Sequence, residues 1–450
     1  MHTLNDPVHG TIHLTDREVQ VIDHPYFQRL RRVKALGMLD RVFPGARHSR
    51  FEHSIGACHV AGRLFEDVKR VSGALADRSW SKKSLHQPLS AEDLDEVLDT
   101  DAQGAFRLAS LLHDVGHGPF SHASEPLMPT VGQLVDANAE AISDRVASAL
   151  LSGKSPQDRS DHEDYSLILA ERILREVGTP EEETLRCLCF KDSRMEVPKS
   201  VAPAQATVFG QLVSGELDSD RMDYLRRDSL FCGVPFGHFD FDRLMDGLCL
   251  VRETHNSQDL AIAIKRGAVS ALEDYLFSRF QMHVQVYTHR VDQKCNVALR
   301  VTGQSSGYTL PVEIEEYVEL DDENLCDKAG DRLSAFASVA KRREMWEMVH
   351  ESYSHDELVD PDLVHGLTQD LPKESWGRMT SRKLIRKPAL LNLPVLGTTF
   401  ADEYTSNKLQ AISKVIADYN TVFSVKRLFV APDYVDLVTK RKAQMSGKAA

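Results

Sequence analysis

Apolar residues recur every three to four positions through most of the first 300 residues, the spacing of one buried face on an α-helix. Phe51, Ile55, Cys58 and Phe65 are a typical stripe. The pattern predicts helices over 16–36, 50–72, 104–115, 137–152, 163–177, 208–228 and 267–300. Residues 251–264 instead alternate around His255-Asn256-Ser257, which predicts a β-hairpin. The stretch 75–100, with Ser79-Trp80-Ser81-Lys82-Lys83-Ser84, reads as a variable insertion, and Val197 to Pro203 as a loop. After about residue 305 the texture changes. A helix is expected around 332–354, and the short apolar runs Ala389–Leu396 and Val425–Val430 predict strands. The fold class that follows is mainly α: a helical core over 1–305, a smaller mixed α/β C-terminal lobe over 306–440, and a flexible tail over 441–450. The basic run Lys440-Arg441-Lys442 reads as a solvated terminus in preference to a nucleic-acid contact.

Composition narrows the function classes. A formal net charge of -13 over 450 residues gives no global field toward nucleic acid or anionic membrane, so any attraction for phosphate must be local. No apolar span reaches bilayer length, and Met1-His2-Thr3 does not open a secretory leader. The seven cysteines are scattered, and Cys187-Leu188-Cys189 has the wrong spacing for a zinc knuckle. They read as ordinary thiols in a reducing cytoplasm.

Chemistry concentrates in Leu111-Leu112-His113-Asp114-Val115-Gly116-His117-Gly118-Pro119-Phe120-Ser121-His122. His113 and Asp114 end an apolar helical stretch and supply one nitrogen and one anionic oxygen to a divalent metal. Gly116, Gly118 and Pro119 break the helix, so His117 and His122 fall in or after a turn beside it. A metal flanked by proton donors is hydrolytic equipment. A bare His-Asp is weak evidence: His355-Asp356 stands in a polar stretch and reads as a solvated surface pair. Further ligands are available from His53, near the edge of its apolar stripe, and from Asp220 in Asp218-Ser219-Asp220-Arg221-Met222-Asp223-Tyr224. In isolation that last segment reads more readily as a charged, solvated helix laced with ion pairs.

The order His…His-Asp…Asp resembles the HD-domain phosphohydrolases. Asn5-Asp6-Pro7-Val8-His9-Gly10, Phe27-Gln28-Arg29-Leu30-Arg31, Phe43-Pro44-Gly45-Ala46, Arg50-Phe51-Glu52-His53-Ser54, and Asp223-Tyr224 with Arg227-Asp228 extend the resemblance to the deoxynucleoside triphosphate (dNTP) triphosphohydrolases. The likeness runs from about residue 4 to about 300 and is nearest to the branch that carries a sterile alpha motif, which this sequence lacks. It implies an HD helical bundle in which His53, His113, Asp114 and Asp220 hold one divalent ion (iron, manganese, zinc, nickel or magnesium), with Mg²⁺ or Mn²⁺ on the nucleotide phosphates. It implies that His117, His122 and His162 are catalytic, His122 being the first choice for the acid and His162 the second. It further implies that Arg50, Arg221 and Arg279 contact phosphate, that Tyr224, Asp228 and Tyr287 line the sugar pocket, and that His283 is an active-site histidine. Family members form tetramers or hexamers and often need an activating nucleotide. Asp23 and Arg31 match activator contacts, although Asp23 reads equally as a helix cap and Arg31 as a structural pair.

Two departures bear on the substrate. Where the family has a glutamine before Leu36-Gly37, this chain has Ala35, and a second glutamine is replaced by Thr288. Alanine cannot hydrogen-bond a hydroxyl, so recognition of the sugar 3′-OH is expected to differ. Glu125 stands where the family has an aspartate, and Arg221 where it has a lysine. The leading expectation is hydrolysis of a dNTP to deoxynucleoside and triphosphate, in dNTP pool control or phage defence. The alternatives are a phosphohydrolase acting on another nucleotide or on single-stranded nucleic acid, and a non-enzymatic nucleotide sensor.

Overall fold

The computed structural model describes residues 2–179, 182–189, 208–209, 212–213, 215–254, 260–341, 345–353, 361–384, 392–398, 403–418 and 422–445. Two antiparallel strands open the chain, β1 (His2–Asp6) and β2 (Gly10–Leu14), a hairpin the sequence pattern did not announce. Helix α1 (Asp16–Asp23) starts where the Thr15 hydroxyl accepts from the Glu18 amide while Glu18 reaches back to the Thr15 amide. The helix expected over 16–36 is broken at His24-Pro25, because proline brings no N–H and disfavours helical backbone before it. A short turn Pro25–Gln28 and a 3₁₀ turn Arg29–Arg32 complete it. His24, not Asp23, caps this turn, its ring accepting from the Tyr26 amide; Asp23 is exposed. Arg31 donates to Gln28 and lies 3.5 Å from the centroid of the Phe51 ring.

The core is built on α2 (Arg50–Ala76) and α3 (Thr100–Leu112), followed by α4 (His162–Glu176) and α5 (Ser219–Cys232). Each begins on a side-chain cap, from Ser49, Asp99, Asp161 and Asp218 respectively. Gly233 in the left-handed region closes α5. The expected helix over 137–152 is two, Val131–Ala137 and Asp144–Leu151, the second capped by Ser143. Of the expected helix over 208–228, the part before Asp218 is described as helical only at 208–209 and 212–213.

The predicted hairpin is present as β4 (Leu248–Glu253) and β5 (Leu260–Lys265), in register from Leu248 against Ile264 to Arg252 against Leu260; its turn lies outside the described residues. These two extend into a five-stranded sheet in the order β3-β4-β5-β8-β9, in which β3 (His86–Gln87) comes from the 75–100 segment. β8 (Pro394–Thr398) and β9 (Tyr404–Lys408) come from the far end of the chain. β5 and β8 pair in parallel, and Trp80 packs on Tyr404 at 5.7 Å between ring centroids. The expected helix over 267–300 is divided by a π-turn, His283–Tyr287, into α6 (Val269–Met282) and α7 (Arg290–Ser306).

The expected helix over 332–354 is corrected. Helix ends at Ala340, and Glu347–Tyr353 is a strand, β6. It pairs with β10 (Val422–Val430), which pairs in turn with β7 (Trp376–Leu384). β10 contains the predicted Val425–Val430 strand, whereas β8 begins five residues into the other predicted run, of which Ala389–Leu391 lies outside the described residues. Terminal helix α8 (Val435–Met445) runs into what was expected to be a flexible tail. The Val197–Pro203 loop and His355-Asp356 lie outside the described residues. Among the described residues no helix is long and apolar enough to cross a membrane.

Candidate active site

Helix α2 brings Arg50 and His53 inward from its first turn, because Ser49 caps that turn and Glu52 folds back onto the Ser49 amide at 2.8 Å. Helix α3 ends at Leu112, so His113 and Asp114 stand at its open end. The His113 Nδ1 is 2.8 Å from the Ser110 carbonyl. A carbonyl can only accept, so Nδ1 carries a proton, and in the neutral ring Nε2 keeps its lone pair. His53 is oriented likewise: Nδ1 lies 2.8 Å from Asp223 Oδ2. Its Nε2 is 3.1 Å from Asp220 Oδ1 and 3.4 Å from Asp114 Oδ2. The Nε2 of His113 is 3.3 Å from Asp114 Oδ1 and 3.5 Å from Asp220 Oδ1. Both Nε2 atoms are buried, and neither has a hydrogen bond.

Two oriented imidazole lone pairs and two carboxylates facing one point are a donor set that a divalent cation fits. The candidate ligand atoms of His53, His113 and Asp220 lie within 4.8 Å of one another. Asp114 is shared with Arg50, which ion-pairs to Oδ2, and with His117 Nε2, 3.3 Å from Oδ1. Burial works against its charge, yet Arg50, His113 and His117 hold its carboxyl well below the usual range.

Behind His53 lies a buried network to which the sequence analysis gave no role. Asp223 accepts from Arg227 Nε and Nη2, both at 2.9 Å, and lies 2.6 Å from His9 Nε2. Arg227 Nη1 continues to Asp6 Oδ2 at 2.8 Å. Burial disfavours the Asp223 charge, but Arg227, His53 and His9 hold its pKa well below normal. The only sequence signal was the i, i+4 spacing of Asp223 and Arg227 and the presence of Asp6 and His9 in the N-terminal motif.

A second cluster adjoins the first. The rings of His117 and His162 stack at 3.8 Å between centroids, and His122 meets both edge-on at 4.8 and 5.0 Å. Glu125 Oε1 bridges two of them, 2.8 Å from His122 Nδ1 and 2.5 Å from His162 Nδ1. Burial, with Arg50 and His162 nearby, pushes the His117 pKa well down. Burial also works against His162 as a cation, but the Glu125 carboxylate overrides it and raises its pKa. The turn that presents His122 is strained: Phe120 and Ser121 have φ of 59° and 55°. Asp322 holds it by accepting from the Phe120 amide at 2.6 Å, and Ser121 Oγ donates to the Lys34 carbonyl at 2.7 Å.

Both clusters line one cavity of about 500 Å³. Arg50, Tyr224, Asp228 and Tyr287 are also in its wall, as is Ala35. Tyr287 donates to Asp228 Oδ2 at 2.7 Å, and His48 Nε2 is 2.9 Å from Oδ1. The structure does not bring every expected residue to this wall. Arg221 turns to Asp218 and the Gly215 carbonyl, Arg279 donates to Glu216 Oε2 at 2.8 Å, and His283 starts the π-turn outside the lining. Thr288 spends its hydroxyl on the His283 and Val284 carbonyls, 3.0 and 3.1 Å away.

Comparison with known proteins adds independent findings. Residues 239–348 match the family model described as the HD associated region. The chain is 28% identical to the deoxynucleoside triphosphate triphosphohydrolase SAMHD1 of Gallus gallus, covering 86% of this chain and 60% of that one. It is 32% identical to the uncharacterized protein YwfO of Bacillus subtilis over 65% of this chain and 53% of the relative. The chain thus spans between half and two thirds of the length of these curated relatives. Among solved structures, a hypothetical protein from Aquifex aeolicus superposes with a TM-score of 0.70 at 24% identity, covering 98% of this chain and 99% of that one. A phosphohydrolase from Bacteroides thetaiotaomicron superposes with a TM-score of 0.64 at 22% identity, covering 95% and 99%. These two likenesses show the shared fold.

Proposed function

Since the chain belongs to the HD-domain dNTP triphosphohydrolase family, we propose that it hydrolyses a dNTP at the α-phosphorus, giving a deoxynucleoside and inorganic triphosphate. One observation carries this reading: the unbonded Nε2 atoms of His53 and His113 face Asp114 and Asp220 in the wall of a cavity that also holds the Glu125-linked histidines. A divalent cation held by His53, His113, Asp114 and Asp220 would supply Lewis acidity toward phosphate and a more acidic water. Asp223, by fixing the His53 tautomer, keeps that ligand set in order.

The remaining work falls to the protein's own groups. Water oxygen attacks the α-phosphorus, the bond from phosphorus to the 5′-oxygen breaks, and that oxygen leaves with a proton. Arg50 binds phosphate oxygens as a bidentate donor. His122 is the proposed donor of the proton, with His162 beside it and Glu125 orienting both. His117, kept neutral by burial and by Arg50, acts as a hydrogen-bonding wall. Asp228 and Tyr287 form the sugar end, and Tyr224 closes it. In the present arrangement Arg50 would have to release Asp114, and Arg221 and Arg279 would have to release Asp218 and Glu216, before touching phosphate. An activating nucleotide near Asp23 and Arg31, and assembly into a tetramer or hexamer, are part of the same proposal.

A second reading, hydrolysis of another nucleotide or of single-stranded nucleic acid, is favoured by one observation. Ala35 offers the cavity no side-chain hydrogen bond, and Thr288 has spent its own. The test is to incubate purified protein with Mn²⁺ or Mg²⁺ and a panel of dNTPs, ribonucleotides, ppGpp and oligonucleotides. Triphosphate release from dNTPs is the expected result. Other products would replace it with the second reading, and silence with every metal would leave a nucleotide sensor.

A further inference from the structure

We propose that Asp292 reads the nucleobase: its carboxylate, braced by Asn296, accepts hydrogen bonds from the N–H edge of the base and so favours guanine. The inference rests on the dNTP reading above and names what that cavity selects.

Asp292 and Asn296 lie one turn apart on α7, and both are in the cavity wall. Asp292 is only 7% exposed. Asn296 Nδ2 donates to its Oδ2 at 2.8 Å. Burial pushes the carboxyl up to about 7, against the hydrogen bonds from Asn296 and the Met38 backbone, and Asp40 adds a repulsion of the same sign as burial. Among the described residues no cation enters that balance, and none of the proposed metal ligands does. A carboxyl set in a cavity wall without a cationic partner is costly, and such groups are characteristic of ligand sites. The brace carries a surplus acceptor too, since Asn296 Oδ1 is buried with no hydrogen-bond partner. The site therefore offers acceptors in search of donors. Guanine alone among the four bases presents two adjacent donors, N1–H and N2–H, which match a carboxylate. Thymine presents one imino N–H, and adenine and cytosine one exocyclic amino group each.

The experiment compares kcat/KM for dGTP, dATP, dCTP and dTTP in the wild type and in Asp292→Asn, which keeps volume while replacing one acceptor by a donor. The wild type is expected to prefer dGTP. The variant should lose roughly tenfold or more for dGTP relative to dTTP, chiefly through KM. Absence of a guanine preference in the wild type, or an equal loss for all four substrates, overturns the inference while leaving triphosphohydrolysis standing. Should Asp292→Asn fail to fold, Asn296→Ala is expected to blunt the dGTP preference, and an unchanged preference counts against the proposal. If the wild type hydrolyses no dNTP, the substrate reading fails separately. Calorimetric titration with dGTP and dTTP then decides the base-reading role, equal affinities or no binding overturning it.

Discussion

Glu125 places one carboxylate oxygen between two imidazoles, and this single atom links the acid candidates to each other. Burial lowers the His162 pKa and Glu125 raises it, with a net rise. Removing the charge in Glu125→Gln therefore lowers that pKa, and the alkaline limb of the pH–rate profile is expected to move to lower pH, with kcat down roughly tenfold to a hundredfold. An unmoved limb would rule out His162 as the group titrating there and leave the proton to His122 alone. Asp223 gives a stability counterpart. Its folded pKa is depressed, so its contribution is complete above the ordinary carboxylate pKa near ~4 and disappears as pH falls through the folded value. Asp223→Asn breaks a buried pair with Arg227 and should cost about 3–5 kcal/mol at pH 7. Calorimetric melts should show the gap from wild type narrowing below pH ~4. At this scale the sequence disclosed His53, His113, Asp114 and Asp220 as candidates, because their residue types announce chemistry. The resemblance also set Glu125, three residues after His122, where the family has an aspartate that orients the histidine, but nothing local tied it to His162, 37 positions on, or tied Asp223 to His53, 170 positions away.

Helices meet closely where glycine permits it, and these contacts position the site. A Cβ added to Gly56 on α2 would lie 2.0 Å from Asp223 Oδ1 and 2.3 Å from Arg227 Nη2 on α5. Gly56→Ala should push the two helices apart, displace the His53 orienting carboxylate and lower bound metal, measured by elemental analysis of the purified variant. Full metal content with an unchanged melting point would show that the contact is slack. Helix periodicity was a reliable guide to α2, α3 and α4, where capping residues and a continuous apolar stripe agree. It misled over 332–354. Strand β6 there is specified by its partner β10, more than seventy residues further on, and that partnership leaves no local period. The break after Tyr287 was equally hidden, since a π-turn preserves apolar spacing on either side.

Two ends of the chain close the molecule. Strand β8 lies parallel to β5, with Val395 opposite Ile264, so the sheet that backs the helical core includes residues from the C-terminal lobe. The pattern alone suggested a smaller mixed C-terminal lobe and gave no sign of this join, because parallel pairing between distant segments has no turn signature. If the helical core binds a divalent ion, saturating Mn²⁺ should raise the melting temperature of the whole chain as one transition, by mass action on the folded state. His113→Ala should abolish the rise; a rise that survives would place the ion elsewhere. At the other end, Asp6 touches Arg227, which grips the carboxylate orienting His53, while most of β1 faces solvent. An exopeptidase nibbling at this ribbon, or an affinity tag tugging on it, would thus reach the catalytic floor without coming near the cavity mouth. Preparations that differ only in their first few residues can be expected to differ in how tightly they keep their ion.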